Sequence, residues 1–283
     1  MIIDVHTHLL QPAITESGII DLPGENRINQ AFANRTTRRL IKKANEVDLL
    51  QSMKDAGIDK SIVFGFPWKC HENCVENNNI VLSAIRSWPK QLSGFCVLQP
   101  TSGRSAIREL KRCISGGIKG VKLKPTWQGY ELDDFAVTGE LFRQMSDNHI
   151  PLLVHTSQAY KKPEGDHPHQ ILSVAEKFPD LRIIAAHLGG ALFLYESYEP
   201  VREILKNVLF DLSLPRTMNI VKVATEIVPA DKLLFGTDYP FNDFGDQTTI
   251  LNCLRKMVSN TEILASILQA KELMTILTRL RYA

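Results

Sequence analysis

Eight short apolar runs, each followed by a stretch with helical spacing, limit this chain to few architectures. The runs are Ile2–Val5, Ser61–Phe66, Gly94–Leu98, Gly120–Lys124, Leu152–His155, Ile183–His187, Val208–Leu212 and Leu233–Thr237. Most are apolar at successive positions, as parallel strands buried on both faces require. Asp48–Ala56 shows the intervening pattern, with Leu49, Leu50, Met53 and Ala56 at steps of three and four before Gly57. Ile80–Trp88, Ala106–Ile114, Leu141–Asn148, Ile171–Phe178, Val201–Leu205, Ile220–Ile227 and Thr249–Met257 follow. Strand–helix alternation repeated eight times predicts an α/β fold, a (β/α)8 TIM barrel. An open doubly wound sheet is the alternative, but no Gly-x-Gly-x-x-Gly follows the first strand.

Two segments depart from the repeat. Residues 10–45 form a long insert after strand 1, expected at the C-terminal mouth as a lid or substrate wall. Ser259-Asn260-Thr261-Glu262 has a capping-box pattern and opens a C-terminal helical segment. No Pro/Gly/Ser linker interrupts the chain, so residues 1–283 are expected to form a single barrel domain.

Composition narrows the function classes. The 283 residues are 44% hydrophobic and 23% charged, which excludes a disordered or collagen-like chain. With 33 basic and 31 acidic residues the net charge is only +2, so neither nucleic acid nor a membrane is an expected partner. A small-molecule substrate is, and a homo-oligomer stays open. Arg35, Arg38, Arg39, Lys42 and Lys43 form a local basic cluster, a solvated face or a binder of an anionic substrate. Five cysteines and an N-terminus without a signal pattern suggest a reducing, cytoplasmic location.

The chemistry concentrates at strand ends. His6 and His8 in Asp4-Val5-His6-Thr7-His8 are two apart, so in a strand both point to one side and can converge on one ion. His155, His187 and Asp238 end or follow three other runs. Burying each alone is costly, whereas a shared cation would relieve all of them.

These residues carry a resemblance. Asp4–His8, Gly120–Pro125, Leu153–Thr156, Ala186-His187-Leu188-Gly189-Gly190 and Gly236-Thr237-Asp238-Tyr239-Pro240 resemble the amidohydrolase superfamily. The likeness is to the branch holding aminocarboxymuconate-semialdehyde decarboxylase, resorcylate decarboxylases and dicarboxylate lactonases. It implies that His6, His8, His155 and Asp238 hold one divalent metal, zinc first, manganese or another ion otherwise. It also places His187 beside the metal, facing substrate. A His/Asp set with an open position is the pattern of a catalytic site.

Binuclear relatives bridge two metals at the fourth strand. Gly120–Pro125 has no glutamate, so a mononuclear site is expected. Lys122 and Lys124 share one face there, available to a substrate carboxylate, paired with an interior acid such as Asp211, or carbamylated. Trp68, Lys69, Trp127, Tyr130 and Gln158 follow strand ends and are candidate pocket residues. Cys70-His71-Glu72-Asn73-Cys74 reads as a loop and helix start rather than a metal knuckle.

The expected activity is hydrolysis of a small carboxylic ester, lactone or amide by metal-activated water, with Asp238 and His187 as catalytic residues. Non-oxidative decarboxylation of a small aromatic or unsaturated acid on the same site is the alternative. A non-catalytic metal-binding barrel is the third.

Overall fold

The structure, a computed structural model, describes residues 1–156, 167–213, 219–242 and 245–280. Eight parallel strands follow one another in chain order around one sheet. They are β1 Ile3–His8, β2 Lys60–Phe64, β3 Leu92–Val97, β4 Gly120–Leu123, β5 Leu152–Val154, β6 Ile183–Ala185, β7 Val208–Asp211 and β8 Leu233–Leu234. The ring closes where Val5 N donates to Phe235 O (2.9 Å) and His8 N to Tyr239 O (2.8 Å). The expected barrel is present.

Fourteen α-helices occur among the described residues. The first four lie between β1 and β2: α1 Pro12–Ser17, α2 Asn26–Ala31, α3 Arg35–Lys42 and α4 Glu46–Ala56. Next come α5 His71–Ser87, α6 Arg104–Ser115, α7 Pro125–Gln128, α8 Phe135–Asp147 and α9 Pro168–Lys177. The last are α10 Glu199–Ile204, α11 Asn219–Ile227, α12 Gln247–Met257, α13 Thr261–Gln269 and α14 Lys271–Thr278.

Three apolar clusters divide the work. Ile3, Val5, Ile62, Phe64, Leu153, Ile184, Leu209 and Leu234 fill the barrel interior, and α14 adds Leu273, Ile276 and Leu277. Alternate residues such as Val63, Val121, Leu152 and Val208 pack outward against the helices. Leu10, Ile14, Ile20, Ile28 and Ile41 give the insert its own core, seated on Phe66, Trp68 and Val97.

Simple alternation does not describe β1. Ile3 pairs with Lys60 and Asp4 with Ser61, but Thr7 pairs with Val63, so the register shifts between Asp4 and Thr7. This bulge inserts one residue and re-aims the side chains beyond it. Ile3 and Val5 face the interior below it, and His6 and His8 face the interior cavity above it.

Asp4 points the other way and clasps the closing seam. Its Oδ1 accepts from Thr237 N (3.0 Å) and His6 N (3.1 Å), and its Oδ2 from Thr237 Oγ1 (2.5 Å) and Gln247 Nε2 (2.7 Å). Burial pushes its carboxyl up to about 6 against the pull of these donors.

Some boundaries differ from the sequence expectation. β1 runs on through His8 because the bulge lets the histidine pair remain in the strand. Helix α5 begins at His71 rather than Ile80. Glu25 from the insert explains this early start, accepting from Lys69 N (2.8 Å), Cys70 N (2.8 Å) and Asn73 Nδ2 (2.9 Å) at the helix N-terminus. Cys70 is its N-cap position and Cys74 is buried, so that segment is a helix start. Helix α13 is capped by Asn260, not Ser259: Asn260 Oδ1 accepts from Glu262 N and Ile263 N. Among the described residues no helix is long and apolar enough to cross a membrane.

Replacing Asp4 by alanine strips the partners from Thr237 N, Thr237 Oγ1 and Gln247 Nε2 at once. The expected loss is about 3 kcal/mol, a fall in Tm on the order of 10 °C for a chain of this size. Asp4→Asn should lose less. Calorimetry of both variants checks this, and a wild-type melting curve for Asp4→Ala would show that the seam does not need the clasp.

Candidate metal centre

Five strand-end side chains converge at the C-terminal mouth. His6 Nε2 lies 3.2 Å and His8 Nε2 2.9 Å from the same atom, Asp238 Oδ1. His187 Nε2 lies 3.0 Å from His155 Nδ1. One potential ligand atom from each of His6, His187 and Asp238 lies within 4.8 Å of the other two. The structure therefore brings together His6, His8, His155, His187 and Asp238. It puts His187 closer to the centre than the sequence implies, because His155 turns its Nδ1 to His187.

The backbone helps to place two of them. His187 and Asp238 both have φ of 56°, in the left-handed region that non-glycine residues seldom occupy. Gly236 makes room beside them, since a Cβ there would lie 3.0 Å from His6 Cβ and 3.3 Å from Asp211 Oδ1.

A second layer fixes ring orientation. His6 Nδ1 donates to Asp211 Oδ2 (2.7 Å), which leaves Nε2 to face the centre. His187 Nδ1 donates to Ser213 O (3.1 Å), so its Nε2 accepts from His155 Nδ1. Ser213 Oγ also touches His187 Nδ1 (2.8 Å) and donates to Asp211 Oδ1. Asp211 thus serves His6 and Ser213, and not the lysines for which it was one alternative partner. Its own strand-end position was the signal for this orienting role.

Burial decides the protonation of most rings. It lowers His8 to about 4, outweighing the hydrogen bond to Asp238, and lowers His187 to about 4. Burial, then Lys124, His187 and Lys122, hold His155 well below its usual value. Burial and Lys122 pull His6 down too, but Asp211 and Asp238 together outweigh them and raise it. Burial pushes Asp238 up, yet His6 and His8 prevail and hold it well below the ordinary carboxylate range.

This donor set fits a divalent cation. His8, His155 and His187 held neutral beside an ionised Asp238 are what such an ion binds, and the ion would take the place of the proton that Asp211 and Asp238 favour on His6. His6 Nε2 and His8 Nε2 both aim at one oxygen, Asp238 Oδ1, at 3.2 and 2.9 Å, a convergence of donors that a shared cation suits.

The cavity above the cluster measures about 70 Å³. Phe66, Trp127 and Phe241 wall it together with Phe32, the insert's contribution to the cavity lining. Phe32 meets Phe66, Trp127 and Phe241 with ring centroids at 4.9, 5.7 and 5.2 Å. Lys122 and Lys124 line it as well. Lys122 is 2% exposed, with Nζ 3.5 Å from His6 Nε2. Lys124 Nζ lies 4.2 Å above the Trp127 ring.

Two candidates stand apart. Trp68 is fully buried under the insert, its Nε1 donating to Asn77 Oδ1 (2.9 Å), and does not line the cavity. Tyr130 is also outside the lining, with its hydroxyl donating to Gln128 Oε1 (3.2 Å). Gln158 lies outside the described residues. The aromatic walls Phe32, Phe66 and Phe241 carry no signal in the sequence, because nothing local distinguishes them from core phenylalanines.

A family profile described as Amidohydrolase matches residues 3–268. The chain belongs to that family of enzymes. Among solved structures it resembles 5-carboxyvanillate decarboxylase LigW from Sphingomonas paucimobilis, with TM-score 0.79 and 13% identity over 98% of this chain and 99% of that one. It also resembles a dihydroxybenzoic acid decarboxylase from Polaromonas sp. JS666, solved with manganese and 2-nitroresorcinol. There the TM-score is 0.76 and the identity 15%, over 98% of this chain and 96% of that one. A third is 4-oxalomesaconate hydratase from Rhodopseudomonas palustris, with TM-score 0.70 and 16% identity over 99% of this chain and 96% of that one. At these identities the likeness carries the fold.

Asp211→Asn tests the orienting layer. It keeps the shape but turns the carboxylate partner of His6 Nδ1 into an amide. Affinity for Mn²⁺ is expected to fall roughly 10–100-fold, read by equilibrium dialysis, with Tm nearly unchanged. Unaltered affinity would remove Asp211 from the metal-orienting role.

Proposed function

We propose that the protein is a metal-dependent, non-oxidative decarboxylase of a small aromatic or unsaturated carboxylic acid. The observation that carries this reading is the lining of the cavity. Two buried lysines face it against one aspartate among the described lining residues, between flat aromatic walls. A bound divalent ion would add two more positive charges. Ammonium groups beside a cation site attract an anionic acid more strongly than a neutral ester, lactone or amide. The two decarboxylases of like fold support the same reading.

His6, His8, His155 and Asp238 would hold the ion, one per chain, with His187 beside it. The manganese in the Polaromonas enzyme makes manganese as good a candidate as zinc. When bound, the ion supplies positive charge that binds and polarises substrate oxygens.

The remaining tasks fall to the chain. Lys122 and Lys124 orient the carboxylate by charge. Phe32, Phe66, Trp127 and Phe241 hold the ring plane and exclude water. The bond between the ring carbon and the carboxylate breaks, its electron pair stays on that carbon, and one proton takes the place of carbon dioxide. Asp238, held ionised, and His187, held neutral, carry no spare proton, so the proton enters from solvent water and is taken up by one of them before it passes to the carbon. Burial keeps His187 neutral at pH 7, so its Nδ1 proton stays with Ser213 O while the Nε2 lone pair is the one that exchanges a proton.

The test is a panel of hydroxybenzoates and lactones with metal-loaded protein. Carbon dioxide should appear in equal amount to the acid consumed. His187→Asn and Asp238→Asn should each lower kcat about 100-fold or more. Lactone opening without carbon dioxide would replace this reading by hydrolysis. Elemental analysis of the purified protein should give one divalent ion per chain, and two would argue for a carbamylated Lys122 or Lys124.

A further inference from the structure

The 20 residues Asn26–Asn45 carry six cations and no acid, although the whole chain is nearly balanced. Arg27, Arg35, Arg38, Arg39, Lys42 and Lys43 are all exposed. The last five lie on or directly after α3, a helix of eight residues.

Both ends of α3 are fastened to the mouth of the barrel. At the N-terminal end Thr37 Oγ1 donates to Phe32 O (2.9 Å), and Phe32 is a wall of the cavity. At the C-terminal end Tyr239 OH donates to Lys43 O (3.2 Å), and Tyr239 follows Asp238. Leu10 N donates to Ala44 O (2.8 Å), two residues beyond His8. Arg27 Nη1 reaches Thr126 O (2.5 Å), next to Trp127. An eight-residue helix is roughly 12 Å long, so its charges stand close to the rim, on the scale of the Debye length of about 8 Å at physiological ionic strength. Acids also border this patch: Asp246 lies near Lys43, and Glu16 and Glu46 line a cavity with Lys42.

We propose that the exposed basic face of α3 captures anionic substrate electrostatically and passes it to Lys124 and Lys122, and that the substrate is a dianion or carries more negative charge. This deepens the decarboxylase reading by naming the charge class of its acid. Coulomb attraction scales with the charge of the ligand, so a dianion gains twice what a monoanion gains. Such steering raises association rates and is lost with salt. It differs from a solvated face in being a rate effect at the site.

Stopped-flow quenching of Trp127 fluorescence in the metal-loaded protein tests this. The probes are isophthalate, a dianion, and benzoate, a monoanion. In the wild type the association rate should fall with ionic strength, about twice as steeply in logarithm for isophthalate. Arg35→Glu/Arg38→Glu/Arg39→Glu should lower the isophthalate rate about tenfold at low salt, with dissociation unchanged. Arg104→Glu/Arg108→Glu/Lys111→Glu on α6, which contributes nothing to the cavity, should leave it within twofold. A rate independent of salt, an equal loss in the α6 variant, or no isophthalate binding overturns the proposal. Absence of carbon dioxide release would instead remove the decarboxylase reading, because binding of the probes does not depend on turnover.

Discussion

The contact between Asp4 and Thr237 is the one on which the rest of the site depends. A barrel whose last strand is two residues long has little ladder with which to close. The clasp supplies hydrogen bonds where ladder is short, and does so two residues before His6 and one residue before Asp238. The side chains that meet at the mouth come from opposite ends of the chain. Their separation is set by how firmly β1 and the segment after β8 are joined. The bulge in β1 works with the clasp: it lets Asp4 face outward to the seam while His6 and His8 face inward.

Given that geometry, burial and neighbouring charges set the protonation of the cluster. Burial alone would neutralise every ionisable group there. It succeeds with His8, His155 and His187, and fails with Asp238 and His6 because each lies against an opposite charge. The outcome is three neutral imidazoles, with His6 held toward its charged form by Asp211 and Asp238, around a retained carboxylate. Asp211 and Ser213 keep the donors turned inward, so the coordination-competent lone pairs are selected by hydrogen bonds outside the set.

Much of this was legible in the sequence. Eight apolar runs sufficed for the barrel because parallel strands buried on both sides have few other readings. His6, His8, His155, His187 and Asp238 could be picked out because polar residues at the ends of apolar runs are costly without a partner. The features that escaped had no local signature. The bulge between Asp4 and Thr7 depends on pairing with β2, and the start of α5 at His71 depends on Glu25, about 45 residues away. Trp68 and Trp127 look alike as residues after a strand end, yet Asn77 holds one in the core while Lys124 shares the cavity with the other. Phe32 could not be told from a core residue until the insert was seen to seat it on Phe66 and Phe241.

The backbone shows where the fold gives up stability for placement. His187 and Asp238 adopt left-handed conformations that cost non-glycine residues on the order of 1–2 kcal/mol each. Glycine at either position would relieve this but could neither bind an ion nor carry a proton. Both conformations are held from several sides. His187 N donates to Asp211 Oδ1 at 3.4 Å and its ring is held by Ser213, while Asp238 O accepts from Phe241 N at 2.7 Å. The same two contacts tie the strained residues to the orienting acid and to the aromatic wall. Placement of His187 and Asp238, the tautomers of the clustered rings and the shape of the cavity are therefore one coupled arrangement. A change that relaxed either backbone would disturb all three.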